Sequence, residues 1–105
     1  MSERHKVKIT VLKRFNPSEV FEKSPVTSVN PDFGACDLFT DGQEFVVGGD
    51  LKMPEGFCGS AWHTIWNYLR TLAFGGNFPW FKEKGVGIAC CADGLRPVVF
   101  KLERI

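Results

Sequence analysis

Cys58, Cys91, Asp93, Arg96 and His63 are the residues of this chain whose types and spacing bear most directly on chemistry. Cys58 falls just before or within the first turn of the longest helical pattern, where unsatisfied N–H groups and the helix dipole favour a thiolate. That makes it the leading candidate for a nucleophile or ligand. Its competing role is packing, because cysteine is small, apolar and commonly buried. A tight hairpin through Asp93-Gly94 would set Arg96 across from Cys91 and favour the ionised thiol, with small-residue packing again the alternative. Cys90 and Cys91 project to opposite faces of any strand, so at most one of them belongs to a given site. A vicinal disulfide between them would need a strained ring and an oxidising compartment. Cys36 has Asp37 beside it and no local basic partner, and it reads as a cysteine packed against the core. Cys58, Arg96, Asp93 and His63 form the candidate catalytic set, although a histidine on a helix surface is more often an interface residue than a ligand.

These groups do not spell a metal site. Structural zinc usually pairs its ligands two to four residues apart, whereas Cys36, Cys58, His63 and Cys90 or Cys91 are scattered along the chain. Only a site assembled from separate elements would be open to it. No metal ligand is assigned, and the identity of any cofactor is left open. The chain also lacks a Ser/His/Asp signature, a phosphate loop and a paired-acid motif.

Aromatic residues suggest a different kind of site. Phe57, Trp62, Trp66, Phe74, Phe78, Trp80 and Phe81 are too many for a small core to hide completely, and Phe78-Pro79-Trp80 sits in a loop. They are expected either at the interface of a homo-oligomer or around an apolar pocket. In the second case Trp62, Trp66, Phe78 and Trp80 would supply the rings, with Cys91 and Asn67 beside Cys58, His63 and Arg96 as polar contacts. Such a pocket suits an apolar or cationic small molecule, an isoprenoid-like one among them.

The elements that must position these residues follow from periodicity. Val7, Ile9 and Val11 alternate with Lys6, Lys8 and Thr10, which predicts a half-buried strand. Asn16-Pro17-Ser18-Glu19 carries an N-cap, a proline at the first helical position and the acid of a capping box, so a short helix should run to about Lys23. Ser24 to Gly34 reads as a loop, Cys36 to Phe39 as a short extended piece, and Gln43 to Val47 as a second strand after the Asp41-Gly42 turn. Ala61, Trp62, Ile65, Trp66, Leu69, Leu72 and Ala73 recur at three- and four-residue spacing, predicting the main helix over Ser60–Phe74, with Gly75-Gly76 as its stop. Val86 to Ala92 and Leu95 to Arg104 are extended runs joined by Asp93-Gly94, the signature of a type I′ hairpin. That turn would pair Cys91 with Arg96, Ala89 with Val98 and Gly87 with Phe100. The small row Gly87, Ala89, Cys91 then leaves a trough in which a helix could lie, whereas a one-residue bulge would turn Cys90 inward instead.

Composition bounds the rest. A chain of 105 residues suits one domain, spanning 1–105, that buries roughly 65% of its unfolded surface. Hydrophobic residues make up 44% and aromatics 13%, so a core can form without disulfides or metal. The net charge is +1 without blocks of like charge, which offers no argument for nucleic acid or an anionic membrane. The charged start, Met1 to Lys6, contains neither a signal peptide nor a span, so the expected compartment is the cytoplasm with reduced thiols.

Gly56-Phe57-Cys58 with Ala61-Trp62, then Phe74-Gly75-Gly76 with Phe78-Pro79-Trp80, then Cys90-Cys91 with Asp93-Gly94, Arg96-Pro97-Val98, Phe100 and Leu102-Glu103-Arg104, make a specific pattern. With the opening Lys6–Val11 run and the Cys36, Phe39 and Gly42–Phe45 segment, it resembles a family of small, functionally unassigned prokaryotic proteins of about this length. The resemblance implies a single cytosolic domain and marks Cys36, Cys58, Cys90, Cys91, Asp93 and Arg96 as matching positions. It carries over no activity.

The fold expected is α+β: a small, mainly antiparallel sheet with one principal amphipathic helix across one face. The function expected is binding, and conceivably transformation, of a small molecule by a homo-oligomer, in a pocket between the helix start and the hairpin with Cys58 and Arg96 beside it. The alternatives are an interaction module whose cysteines and aromatics only pack, and a Cys/His metal-binding or thiol-redox protein.

Overall fold

The computed structural model describes residues 4–26 and 34–105. In chain order its elements are β1 (Val7–Arg14), α1 (Pro17–Val20), β2 (Glu44–Val47), α2 (Gly59–Ala73), β3 (Val86–Cys90) and β4 (Val98–Arg104). The strands form one sheet in the order β2-β1-β4-β3, antiparallel throughout. One face carries α2, so the domain is α+β as the alternation and helical spacing predict. Among the described residues, no helix is long and apolar enough to cross a membrane.

Each element forms because its apolar period matches its geometry. Val7, Ile9 and Val11 are fully buried, while Lys8 lies on the other face within 3.6 Å of Glu44 and 3.8 Å of Glu103 on the flanking strands. Ala61, Ile65, Leu69, Leu72 and Ala73 turn the apolar side of α2 toward β3 and β4. Close approach there depends on Gly87, where an added Cβ would meet the Phe78 ring at 3.0 Å and Leu72 at 3.6 Å. Toward the start of α2 lies an aromatic cluster in which Phe39 meets Phe57 and Phe100 at ring-centroid distances of 5.2 and 5.3 Å, and Phe45 meets Phe57 at 5.0 Å. Edge-to-face rings of this kind add to the stabilisation from area burial alone.

The hairpin departs from the expected register. Cys90 pairs with Val99, Ala89 with Phe100 and Gly87 with Leu102, two residues along from the pairing a two-residue turn would impose. Neither Asp93 nor Gly94 has positive φ, so the turn is not type I′. Instead the Asp93 carboxylate accepts hydrogen bonds from Leu95 N (3.0 Å) and Arg96 N (3.1 Å) and organises a longer loop. A shift of two residues leaves every side chain on its original face. Cys91 therefore packs against the core and Cys90 is exposed, as expected without a bulge.

Smaller differences have local causes. α1 ends at Val20 instead of near Lys23, since none of its residues is buried and nothing beyond propensity extends it. Residues 36–39 turn instead of extending. Of the loop expected over Ser24–Gly34, residues 27–33 lie outside those described. β2 begins at Glu44, and α2 starts one residue early with Cys58 as its N-cap.

Candidate functional site

The end of the sheet at which β4 begins meets the start of α2, and a β-bulge decides what stands there. Between Val11 and Lys13 the β1–β4 register shifts, leaving Leu12 as the extra residue. Beyond it the inward alternation changes phase, so Arg14 lies opposite the buried Val98. Its Nη1 donates to the Cys36 carbonyl (2.9 Å), and its Nε and backbone N donate to Asp41 Oδ1 at 3.1 and 3.0 Å. These bonds from the Arg14 side chain and backbone hold the Asp41 carboxyl below the usual carboxylate range. Arg14 thus fastens the 36–41 segment to the sheet, while buried Phe39 plugs it into the aromatic cluster.

Cys58 caps α2 in an extended conformation, and its carbonyl accepts the Trp62 N–H at 2.9 Å. The Cys58 side chain makes no capping hydrogen bond, and the first N–H groups of the helix lack intrahelical partners by construction. Cys91 donates its own N–H to the Val98 carbonyl (3.1 Å), and its Sγ accepts the Val98 N–H at 3.2 Å. This exchange holds the thiol at the mouth of the hairpin loop. Asp93 and Arg96 form an ion pair at 3.4 Å. Burial by itself raises the Asp93 carboxyl, but the Arg96 and Leu95 N–H groups and the Arg96 guanidinium together outweigh it and leave it below its ordinary value.

These segments enclose a cavity of about 130 Å³ with three walls. Cys36, Leu38 and Phe39 form one, Cys58, Ser60 and Ala61 at the start of α2 another, and Cys91, Asp93, Arg96 and Val98 the third. Three of the four thiols therefore share one opening with the Asp93–Arg96 pair. Among the described residues, no group of three or more His, Cys, Asp or Glu side chains is arranged to hold a metal ion.

The structure brings Cys58, Cys91, Asp93 and Arg96 together and leaves the other expected site residues elsewhere. Among the described residues, Phe39 is the one aromatic ring on the cavity, and the lining expected from Trp62, Trp66, Phe78 and Trp80 is not found there. Trp62 and Trp66 pack on each other and, through Trp62, on Phe57, at 5.6 and 6.0 Å. Phe78 and Trp80 stack with Tyr68 at the other end of the helix. His63 and Asn67 are both exposed, since their four-residue spacing puts them on one face that points away from the sheet. Asn67 lines a separate surface depression with Arg70, Thr71 and Phe74. Sequence reasoning missed Leu38, Ser60 and the positioning role of Arg14. The bulge at Leu12 has no glycine or other marker in the sequence, so Arg14 read as the end of an ordinary strand.

The chain matches no family model, no curated protein and no solved structure, so the chemistry of the cavity rests on its own residues.

Proposed function

We propose that this protein binds a small molecule with an anionic or strongly polar end in the cavity at the start of α2, with Cys58 as the thiol that faces it. The observation carrying this reading is the convergence of Cys36, Cys58, Cys91 and the Asp93–Arg96 pair on one opening. Leu38, Phe39, Ala61 and Val98 offer an apolar grip for the body of a ligand. Arg96 and the helix start offer positive potential to its polar end. At about 130 Å³ the space is close to that of the cavity of roughly 150 Å³ known to take benzene. A ligand, or the part of it that enters, has about six heavy atoms by that comparison. A whole isoprenoid chain would overrun it. Free thiols at all four cysteines suit a reducing compartment such as the cytoplasm.

The test uses two alkylating probes of equal reach and different charge, iodoacetate and iodoacetamide, with each cysteine followed by peptide mass spectrometry. In both reactions the thiolate sulfur displaces iodide and forms an S–C bond. Cys90 lies outside the cavity and serves as the internal reference, since the ratio of the two rates cancels shielding common to both reagents. Cys58 should show an iodoacetate-to-iodoacetamide rate ratio several-fold above that of Cys90, and Arg96→Gln should bring the two together. Equal ratios in the unmodified protein, or a Cys58 resistant to both reagents, would mean that the cysteines only pack.

A further inference from the structure

Among the described residues, β2 and β3 each pair with one strand only, and these two edges of the sheet differ in character. β2 is four residues long and carries the carboxylate of Glu44, a common protection against edge-to-edge pairing. β3, Val86-Gly87-Ile88-Ala89-Cys90, has neither a charge nor a proline. Its backbone alternates in direction. The Cys91 N–H and the Gly85 carbonyl bond to β4, so Gly87 and Ala89 point the same way, while the N–H and C=O groups of Val86, Ile88 and Cys90 point out of the sheet. The Thr64 hydroxyl, whose one proton is shared between the Ala61 carbonyl at 3.0 Å and the outward Cys90 carbonyl at 3.1 Å, agrees with that direction.

Side chains along this edge are as open as its backbone. Ile88 is 37% exposed, and Trp80 is 65% exposed at the end of the Tyr68–Phe78–Trp80 stack. Phe78 packs over Gly87, which places the stack toward the Val86 end of the strand. Toward the Cys90 end lies a groove of about 360 Å³ formed by Thr64, Tyr68, Ile88, Ala89, Cys90 and Val99. A projecting ring and a groove thus lie at opposite ends of one uncharged strand.

From this arrangement we infer that the protein is a twofold dimer in which β3 pairs antiparallel with β3 of a second copy, joining two sheets into one. A dyad at Ile88, the middle of the strand, sets Ile88 opposite the partner's Ile88 and Val86 opposite the partner's Cys90. Each is a hydrogen-bonded pair, because the groups that point outward belong to these residues, and the Cys90 carbonyl has a second lone pair for the partner's Val86 N–H beside Thr64. The same axis carries Trp80 of each copy to the groove of the other, so ring and groove meet twice. Antiparallel pairing also keeps like charges apart: Lys84 falls beside the partner's Ala92 and Asp93, away from the partner's Lys84. A second copy satisfies every part of this pattern at once, and because the same strand is used by both copies only the Glu44-bearing β2 edges are left at the ends of the joined sheet. A stable interface buries about 1,200 Å² or more in total, beyond what a five-residue seam supplies. The dimer therefore depends on Trp80 as well as on the strand.

Light scattering after size exclusion, at tens of micromolar full-length chain, should give twice the chain mass of 11.8 kDa. Trp80→Ala should raise the dissociation constant at least tenfold by sedimentation velocity. Ile88→Lys should give a folded monomer, because Ile88 lies on the solvent side of the sheet. The decisive variant is Val86→Cys under mild oxidation with diamide. Residues 86 and 90 of one chain stand about 13 Å apart along a strand, too far for a disulfide. A bond between the introduced thiol and Cys90, located by peptide mass spectrometry, is therefore intermolecular. Its formation, and its loss in a Cys90→Ser background, are the expected results. A monomeric unmodified protein would overturn the inference, and so would a dimer in which Val86→Cys never links to Cys90.

Discussion

Asp93 shows how one short side chain can shape a whole loop. Its Oδ1 takes the N–H groups of Leu95 and Arg96, which bends the loop, and its Oδ2 meets Arg96 Nε, which aims the guanidinium. In the folded chain its carboxyl stays ionised to lower pH than its ordinary value of 3.8, as these donors outweigh the cost of burial. A carboxyl depressed by folding contributes stability that is fully present above its unfolded value and is lost as pH falls through the folded one. Asp93→Asn should accordingly lower stability most near neutrality, where the ionised carboxylate makes its full contribution, and flatten the acid limb so that the two proteins converge below about pH 4. Urea midpoints measured between pH 2.5 and 7 for the two proteins would check this. The residue types Asp, Gly and Arg mark a turn in the sequence, but the choice between a type I′ turn and an Asx-type loop rests on backbone angles that the types leave open.

At the scale of elements, the ends of β4 and α2 are tied together by one side chain. Arg104 Nη1 donates to the carbonyls of Leu72 (3.1 Å) and Gly76 (2.7 Å), and Nη2 donates to Asn77 Oδ1 (2.8 Å). A cation at a helix C-terminus satisfies orphan carbonyls and complements the dipole. Gly76 is required beside it, because a Cβ there would stand 2.8 Å from Thr71 Cγ2 and 2.9 Å from the Thr71 carbonyl oxygen. Arg104→Ala should cost about 2–3 kcal/mol, as charge-assisted hydrogen bonds are lost. The matching fall in melting temperature is roughly 8–20 °C for a domain of this size. Arg104→Lys should recover only part, since one ammonium cannot span the same three acceptors. Thermal unfolding followed by circular dichroism distinguishes the two variants. The Gly75-Gly76 stop was visible in the sequence, whereas its clamp comes from a residue 28 positions further on.

For the whole molecule, core and cavity are one structure. Phe100 is fully buried and meets the rings of Phe39 and Phe57 at 5.3 and 5.5 Å, and Phe39 in turn forms the wall that carries Cys36 and Leu38. Phe100→Ala should cost about 3–5 kcal/mol, a large share of the roughly 5–15 kcal/mol available to a domain. In the milder Phe100→Leu the charge selectivity of Cys58 alkylation should fall toward that of Cys90 while the protein stays folded, as the wall loosens. Alkylation of that variant, paired with its urea midpoint, reads both effects. Local pattern alone determined the α+β class, the main helix to within one residue at each end, the inward faces of β1, β3 and β4, and the candidacy of Cys58, Cys91, Asp93 and Arg96. Those features depend on side-chain periods and turn residues, which lie within a few positions of one another. Tertiary structure alone decided that Cys36 joins the thiols, that a bulge at Leu12 turns Arg14 inward, and that the tryptophans stand away from the cavity. Each of these depends on packing between segments far apart in the chain, where close fit selects one arrangement among several that the same local pattern permits.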